Sequence, residues 1–252
     1  MDAAAAYEVL LERVRADRDA LGLVLTGSRG RGFRVRADSD FDVRLVVADE
    51  SFEECVERYA TPHGSPVEVF VLRLSSFART GLPGSGSEWD RYSYVRAELV
   101  LDKLDGAIAG LVAHKATLTE DEARSLAPNA LDDYVNSYYR SARNHQNGLA
   151  LESQLDAAES IGPLLTTLFA LGLRVRPFNK FLAFELELEP LPGDAWAADR
   201  LLARVRTIVS SGDLPTQQEL FRDVEALARQ RDLADVIDGW EPDVAWLRGA
   251  GG

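Results

Sequence analysis

The chain has 252 residues, 46% of them hydrophobic, and a formal net charge of −13. That hydrophobic share excludes a disordered chain, the single Cys55 excludes a disulfide framework or a cysteine-based zinc site, and no apolar run approaches the length of a membrane span. The acidic balance argues against a nucleic-acid backbone as partner, since neutralising phosphates takes a basic surface, and it suits a cationic small molecule instead.

The N-terminus, Met1-Asp2-Ala3, lacks the basic start of a signal peptide, so a cytoplasmic protein is expected. Leu10, Val14 and Leu21 stand at near-helical spacing and predict an opening helix over residues 5–20. An apolar strand over 23–26 then runs into Gly27-Ser28. A loop rich in glycine and arginine follows, holding Arg29, Arg31, Arg34 and Arg36, and a second strand over 41–47 opens beside Asp40 and Asp42. Alternate residues of a strand share a face, so the two aspartates point the same way. Like charges that close are costly unless a cation lies between them, and a hard divalent ion with oxygen ligands meets that need. Ser28 and the flexible Gly27 supply a hydroxyl and backbone N–H groups suited to an anion. Phosphate loop and metal carboxylates on neighbouring strands are the parts that phosphoryl or nucleotidyl transfer requires.

A helix is predicted over 51–59, with Ser51 as N-cap and Glu53 and Glu54 in its first turn. A β-branched run over 67–73 is a third strand with one acid, Glu68, in an otherwise apolar stretch. An acid in a half-buried strand needs a partner. Residues 81–87, rich in Gly and Ser, predict a surface loop, and 94–101 could be strand or helix.

Gly27-Ser28 followed by Asp40-Phe41-Asp42 resembles the signature of the nucleotidyltransferase superfamily of DNA polymerase β and the antibiotic nucleotidyltransferases. Its pattern is Gly-Ser, about ten residues, then Asp-x-Asp; here eleven separate Ser28 from Asp40. The family places a third carboxylate on a later strand, the role Glu68 would take. The resemblance implies Asp40, Asp42 and Glu68 as ligands of two Mg²⁺ ions, and Gly27, Ser28 and Arg31 as contacts to the phosphates of ATP or another NTP. It spans only residues 22–72.

Beyond about residue 105 helical patterns take over: a start at Thr119-Glu120-Asp121-Glu122, then 131–147, 151–171, 179–188, 194–210, 216–230 and 232–239, punctuated by Pro177, Pro190, Pro192 and Pro215. The expected architecture is an α/β (α+β) nucleotidyltransferase domain with a small mixed sheet, residues 1–105, followed by an all-α helical bundle, residues 106–252. That layout is similar to the antibiotic nucleotidyltransferases, where a helical half closes one side of the active site. On the 151–171 helix, Leu151, Leu155, Ala158, Gly162, Leu165 and Phe169 form one stripe, expected to be buried. Glu152, Asp156 and Glu159 adjoin it, and three acids side by side repel unless solvated or met by a cation. Glu159 is taken as the general base and Asp156 as its neighbour at the acceptor; a solvated face is the alternative.

Asn136, Arg140, Arg143 and Asn147 form a polar stripe that could hold a triphosphate, with Arg140 as the contact. Tyr134, Tyr138 and His145 lie on the opposite face, where His145 reads as an interior histidine. Lys180, a cation in a first helical turn, is a phosphate contact by the same logic, since an anion relieves the clash with the helix dipole.

The expected function is Mg²⁺-dependent transfer of AMP from ATP to a hydroxyl of a small molecule, such as an aminoglycoside-like antibiotic. The expected partners are therefore an NTP and a cationic hydroxylated acceptor, with no membrane or nucleic acid, and a homodimer is allowed. Two alternatives stand beside it: a protein-adenylylating enzyme of toxin–antitoxin type, and a HEPN-like nuclease or binding role for the helical half, suggested by the Arg140-x4-His145 spacing.

Overall fold

The computed structural model describes residues 2–36 and 39–249. Residues 37–38, part of the predicted phosphate loop, lie outside the described residues. The chain divides into two compact units, Met1–Thr117 and Leu118–Gly252.

In the first unit, helix α1 (Ala3–Ala16) is capped by the Asp2 carboxylate, which accepts from the Ala5 N–H at 2.8 Å. The chain continues through strand β1 (Ala20–Leu25), the single-turn helix α2 (Gly27–Gly30) and strand β2 (Phe41–Val47). After helix α3 (Phe52–Tyr59) come strand β3 (Val67–Arg73), helix α4 (Leu74–Arg79), a 3₁₀ segment over Glu88–Tyr94, strand β4 (Glu98–Asp102) and helix α5 (Ala107–Ala116). The four strands form one mixed sheet in the order β3-β2-β1-β4, with β1 antiparallel to β2 and β4, and β2 parallel to β3.

Alternation along the strands feeds two cores. Leu23, Leu25, Val43, Leu45, Val47, Val67 and Val69 pack with Leu10, Leu11, Val14, Cys55 and Tyr59 on the α1 and α3 side. Val24 and Val46 pack with Phe77, Tyr94, Ile108 and Val112 on the other. A Cβ at Gly22 would meet Ile108 at 2.9 Å, so glycine there lets α5 lie close on the sheet. That packing moves the boundary expected at 105/106 to 117/118, because α5 buries its apolar side against β1 rather than joining the helices that follow. The 94–101 stretch, ambiguous in sequence, ends in the edge strand β4.

The second unit is helical: α6 (Glu120–Gln146), α7 (Ala150–Ala170), α8 (Leu182–Leu188), α9 (Ala198–Ser211), α10 (Leu214–Gln230), α11 (Ala234–Asp238) and α12 (Asp243–Leu247). Thr119 and Glu122 form a reciprocal capping box at the start of α6. The helix runs through Pro128, so the two segments expected there are one. The core joins Leu131, Tyr134, Val135 and Tyr138 of α6 to Ile161, Leu164 and Leu165 of α7 and to Leu201, Ile208, Phe221 and Val224 of α9 and α10. Two expectations are corrected here. Leu151 and Leu155 are 65% and 60% exposed, so the buried stripe of α7 holds only in its C-terminal part, at Leu165 and Phe169. His145 is exposed while Tyr134 and Tyr138 are buried, because α6 buries the tyrosine side nearer its middle and its last turn stands clear. Among the described residues, no helix is long and apolar enough to cross a membrane.

Candidate active site

The Gly-Ser turn meets Asp42 at one end of the sheet. Thr26, the last residue before α2, donates its N–H to the Asp42 carbonyl at 2.8 Å and its hydroxyl to the same oxygen at 3.1 Å. Gly27 has φ +64°, and a Cβ on it would lie 1.9 Å from Asp42 Oδ2. Only glycine allows the turn to lie so close against that carboxylate. A Cβ at Gly30 would fall 2.3 Å from the Leu25 carbonyl oxygen, so the turn also packs tightly on the strand it leaves.

Two arginines brace the loop. Arg29 donates to the Ser39 carbonyl at 3.0 and 2.8 Å and lies 4.0 Å over the Phe41 ring. Phe41 in turn stacks on Tyr7, with ring centroids 4.2 Å apart. Phe41 therefore turns to the α1 side, and Asp42 shares the opposite face with Arg44 and Val46 by strand alternation. Asp40, exposed, stands immediately before β2. Arg31 is buried, donates to the Gly27 carbonyl at 2.8 Å and to the Tyr92 carbonyl, and lies 4.6 Å over the Tyr92 ring. It was expected on the nucleotide. Its burial requires carbonyl partners, and those contacts make it a brace beneath the turn.

Glu68 is the register partner of Asp42 on the adjacent parallel strand and is buried. Its carboxylate accepts from the Gly64 N–H, and the His63 ring nitrogen lies 3.2 Å away. The Gly64 hydrogen bond is the chief cause holding its carboxyl below the usual range; His63 and the Arg44 charge act the same way, against the effect of burial. Among the described residues, no group of three or more His, Cys, Asp or Glu side chains stands ready to hold a metal ion. Glu68 stands on β3 opposite Asp42, and its carboxylate is held by the turn that precedes the strand. Asp40, Asp42 and Glu68 offer hard carboxylate oxygens, which suit Mg²⁺. That ion is commonly held by one or two carboxylates together with substrate phosphates rather than by an all-protein cage. The residues fit it on those terms.

The site residues expected in the helical half belong to the second unit. Arg140 of α6 reaches Glu159 at 2.5 Å and Asp156 at 3.2 Å, and Asn144 donates to Asp156 at 2.8 Å. The acidic stripe of α7 therefore has its cation, supplied by the neighbouring helix. The base and the phosphate contact expected in this half are paired with each other. Lys180 is exposed in the 3₁₀ turn Asn179–Phe181, with its ammonium 5.2 Å from the Phe181 ring.

Sequence reasoning missed Arg44, Asp90, Phe70 and His63. Arg44 left one signal, a lone cation on the face of β2 that carries Asp42; its guanidinium lies 3.1 Å from Asp90 and 4.2 Å over the Phe70 ring. His63 left none, because its approach to Glu68 depends on how the 63–66 turn folds back.

No protein-family model matches the chain, and no curated protein matches it in sequence. Among solved structures it is similar to a nucleotidyltransferase-like protein from Exiguobacterium sibiricum 255-15. The alignment covers 91% of this chain and 80% of that one, at 9% identity and a TM-score of 0.42. The likeness is one of outline. A score that low carries no chemistry across, so a function has to stand on the geometry of the site.

Proposed function

We propose that the first unit transfers a nucleoside monophosphate, with AMP from ATP as first choice, to a hydroxyl of a small molecule. The observation that supports this reading is the close approach of the Gly27 turn to the Asp42 carboxylate. On this reading the turn would receive the phosphates beside a carboxylate that would bind the metal. Asp40 and Asp42 would hold Mg²⁺, and the Ser28 hydroxyl would receive the terminal phosphates. When bound, Mg²⁺ polarises the α-phosphoryl oxygen and offsets the charge on the leaving group. The acceptor oxygen bonds to the α-phosphorus as the bond from that phosphorus to the bridging oxygen of the β-phosphate breaks. Pyrophosphate departs, and the hydroxyl proton passes to water. Arg29 and Arg31 act indirectly, by fixing the loop so that the turn keeps its distance from Asp42. The net charge of −13 favours a cationic acceptor, aminoglycoside-like compounds among them.

The test is pyrophosphate release from ATP and Mg²⁺ in the presence of a panel of hydroxylated amines. Asp42→Asn should abolish release while the thermal midpoint stays at or above that of the parent, since a charge is removed from an acidic corner. Release at the parent rate from that variant would overturn the proposal.

A further inference from the structure

The face that carries Asp42 and Glu68 continues along the strands to its next register pair, Arg44 of β2 and Phe70 of β3. Phe70 is 43% exposed. A single open aromatic side chain is ordinary in itself; this one is held in place. The Arg44 guanidinium lies 4.2 Å over its ring. Arg44 is fixed by Asp90 at 3.1 Å, and Asp90 also accepts from the Ser93 hydroxyl at 2.5 Å. The Arg44 and Asp90 side chains are 13% and 10% exposed, so this ion pair is largely out of water and rigidly backed. A ring pinned from behind loses little freedom when something lands on its open part, which is the condition for a preorganised binding surface.

The position of that ring across the sheet says what would land there. The strand order is β3-β2-β1, and α2 follows β1, so the Gly27 turn reaches Asp42 from the β1 side. Nucleotidyl transfer keeps the attacking and leaving oxygens on opposite sides of the α-phosphorus. Pyrophosphate leaving over the turn therefore requires the acceptor to attack from the β3 side, where Phe70 stands.

We propose that Phe70 is the platform on which the acceptor rests, and that the acceptor carries an aromatic or flat apolar ring beside the hydroxyl it presents. Arg44 is the positioning residue that holds the platform. The inference rests on the nucleotidyl-transfer reading and adds the chemistry of the second substrate. It narrows a cationic hydroxylated acceptor to one with a ring face to stack.

Two probes test it with the full-length protein: para-aminomethyl benzyl alcohol, which joins a ring, a hydroxyl and an amine, and aminohexanol, which lacks the ring. Saturation-transfer NMR gives their affinities, and calorimetry gives that of MgATP. The parent should prefer the aryl probe by about tenfold, the scale of one aromatic contact. Phe70→Leu and Phe70→Ala should remove the preference, Phe70→Tyr should keep it, and MgATP should bind all four proteins alike. An aryl probe that binds Phe70→Leu as tightly as it binds the parent would overturn the platform, with MgATP binding intact. A matching loss of MgATP affinity in the same variant would also overturn it, by putting the nucleobase on the ring. A parent that binds the probe but not MgATP would instead remove the nucleotidyl-transfer reading, and the platform's role with it.

Discussion

Replacing Gly27 by alanine separates steric fit at the active site from ordinary backbone strain. Gly27 and Gly32 have nearly equal positive φ values, +64° and +66°, but a Cβ on Gly27 would lie 1.9 Å from Asp42 Oδ2 whereas one on Gly32 meets nothing within 4 Å. Both alanines bear the left-handed backbone cost of ~1–2 kcal/mol. Only Gly27→Ala adds an overlap. A relaxed carbon–oxygen contact is roughly 3.5 Å, so the turn or the carboxylate must give by more than ~1 Å. A displacement of that size at a reacting group costs about a hundredfold in rate. Circular dichroism melts should show Gly32→Ala lower by roughly 2–4 °C for each kcal/mol lost, and Gly27→Ala lower by at least as much. Pyrophosphate release should stay near the parent rate in Gly32→Ala and fall about a hundredfold or more in Gly27→Ala. Equal activities for the two variants would refute the idea that the turn and Asp42 work as one unit.

Glu159→Gln should leave turnover within about twofold, rather than cause the ~10²–10⁴-fold loss of a missing general base, because that carboxylate is the partner of Arg140; steady-state kinetics decides. Arg140→Met should lower stability by less than about 1 kcal/mol in urea titrations, as expected for a pair in which Glu159 is largely exposed. Lys115 is fully buried, donates to the Ala78 carbonyl at 3.1 Å, and has its pKa pushed down to about 8, chiefly by burial and then by Arg91. Its folded pKa lies below the unfolded 10.5, so between pH 8 and 10.5 the unfolded chain binds the extra proton and this group makes stability rise with pH. The slope is at most about 1.4 kcal/mol per pH unit. Lys115→Met should flatten that rise and gain stability near neutrality, and a variant whose stability tracks the parent across that range would show that Lys115 is not desolvated.

The local pattern of the chain already specified β2 and β3, the approximate course of most helices, and a glycine turn ahead of the strand that carries Asp42. Those features rest on spacing alone: period two on a strand, period 3.6 on a helix, glycine where φ is positive. Long-range packing decided what local spacing cannot encode. Gly22 against Ile108 drew α5 onto the sheet, and with it the boundary between the units. The parallel register of β2 and β3 set Glu68 opposite Asp42 and Phe70 opposite Arg44, pairs drawn from strands more than twenty residues apart. The same holds for Arg140, whose place in the sequence says nothing about Asp156 and Glu159 until α6 and α7 pack. A charge in a sequence shows that a partner is needed. Which partner it finds depends on which elements come together, and that is settled by burial of the apolar faces on which the charges ride.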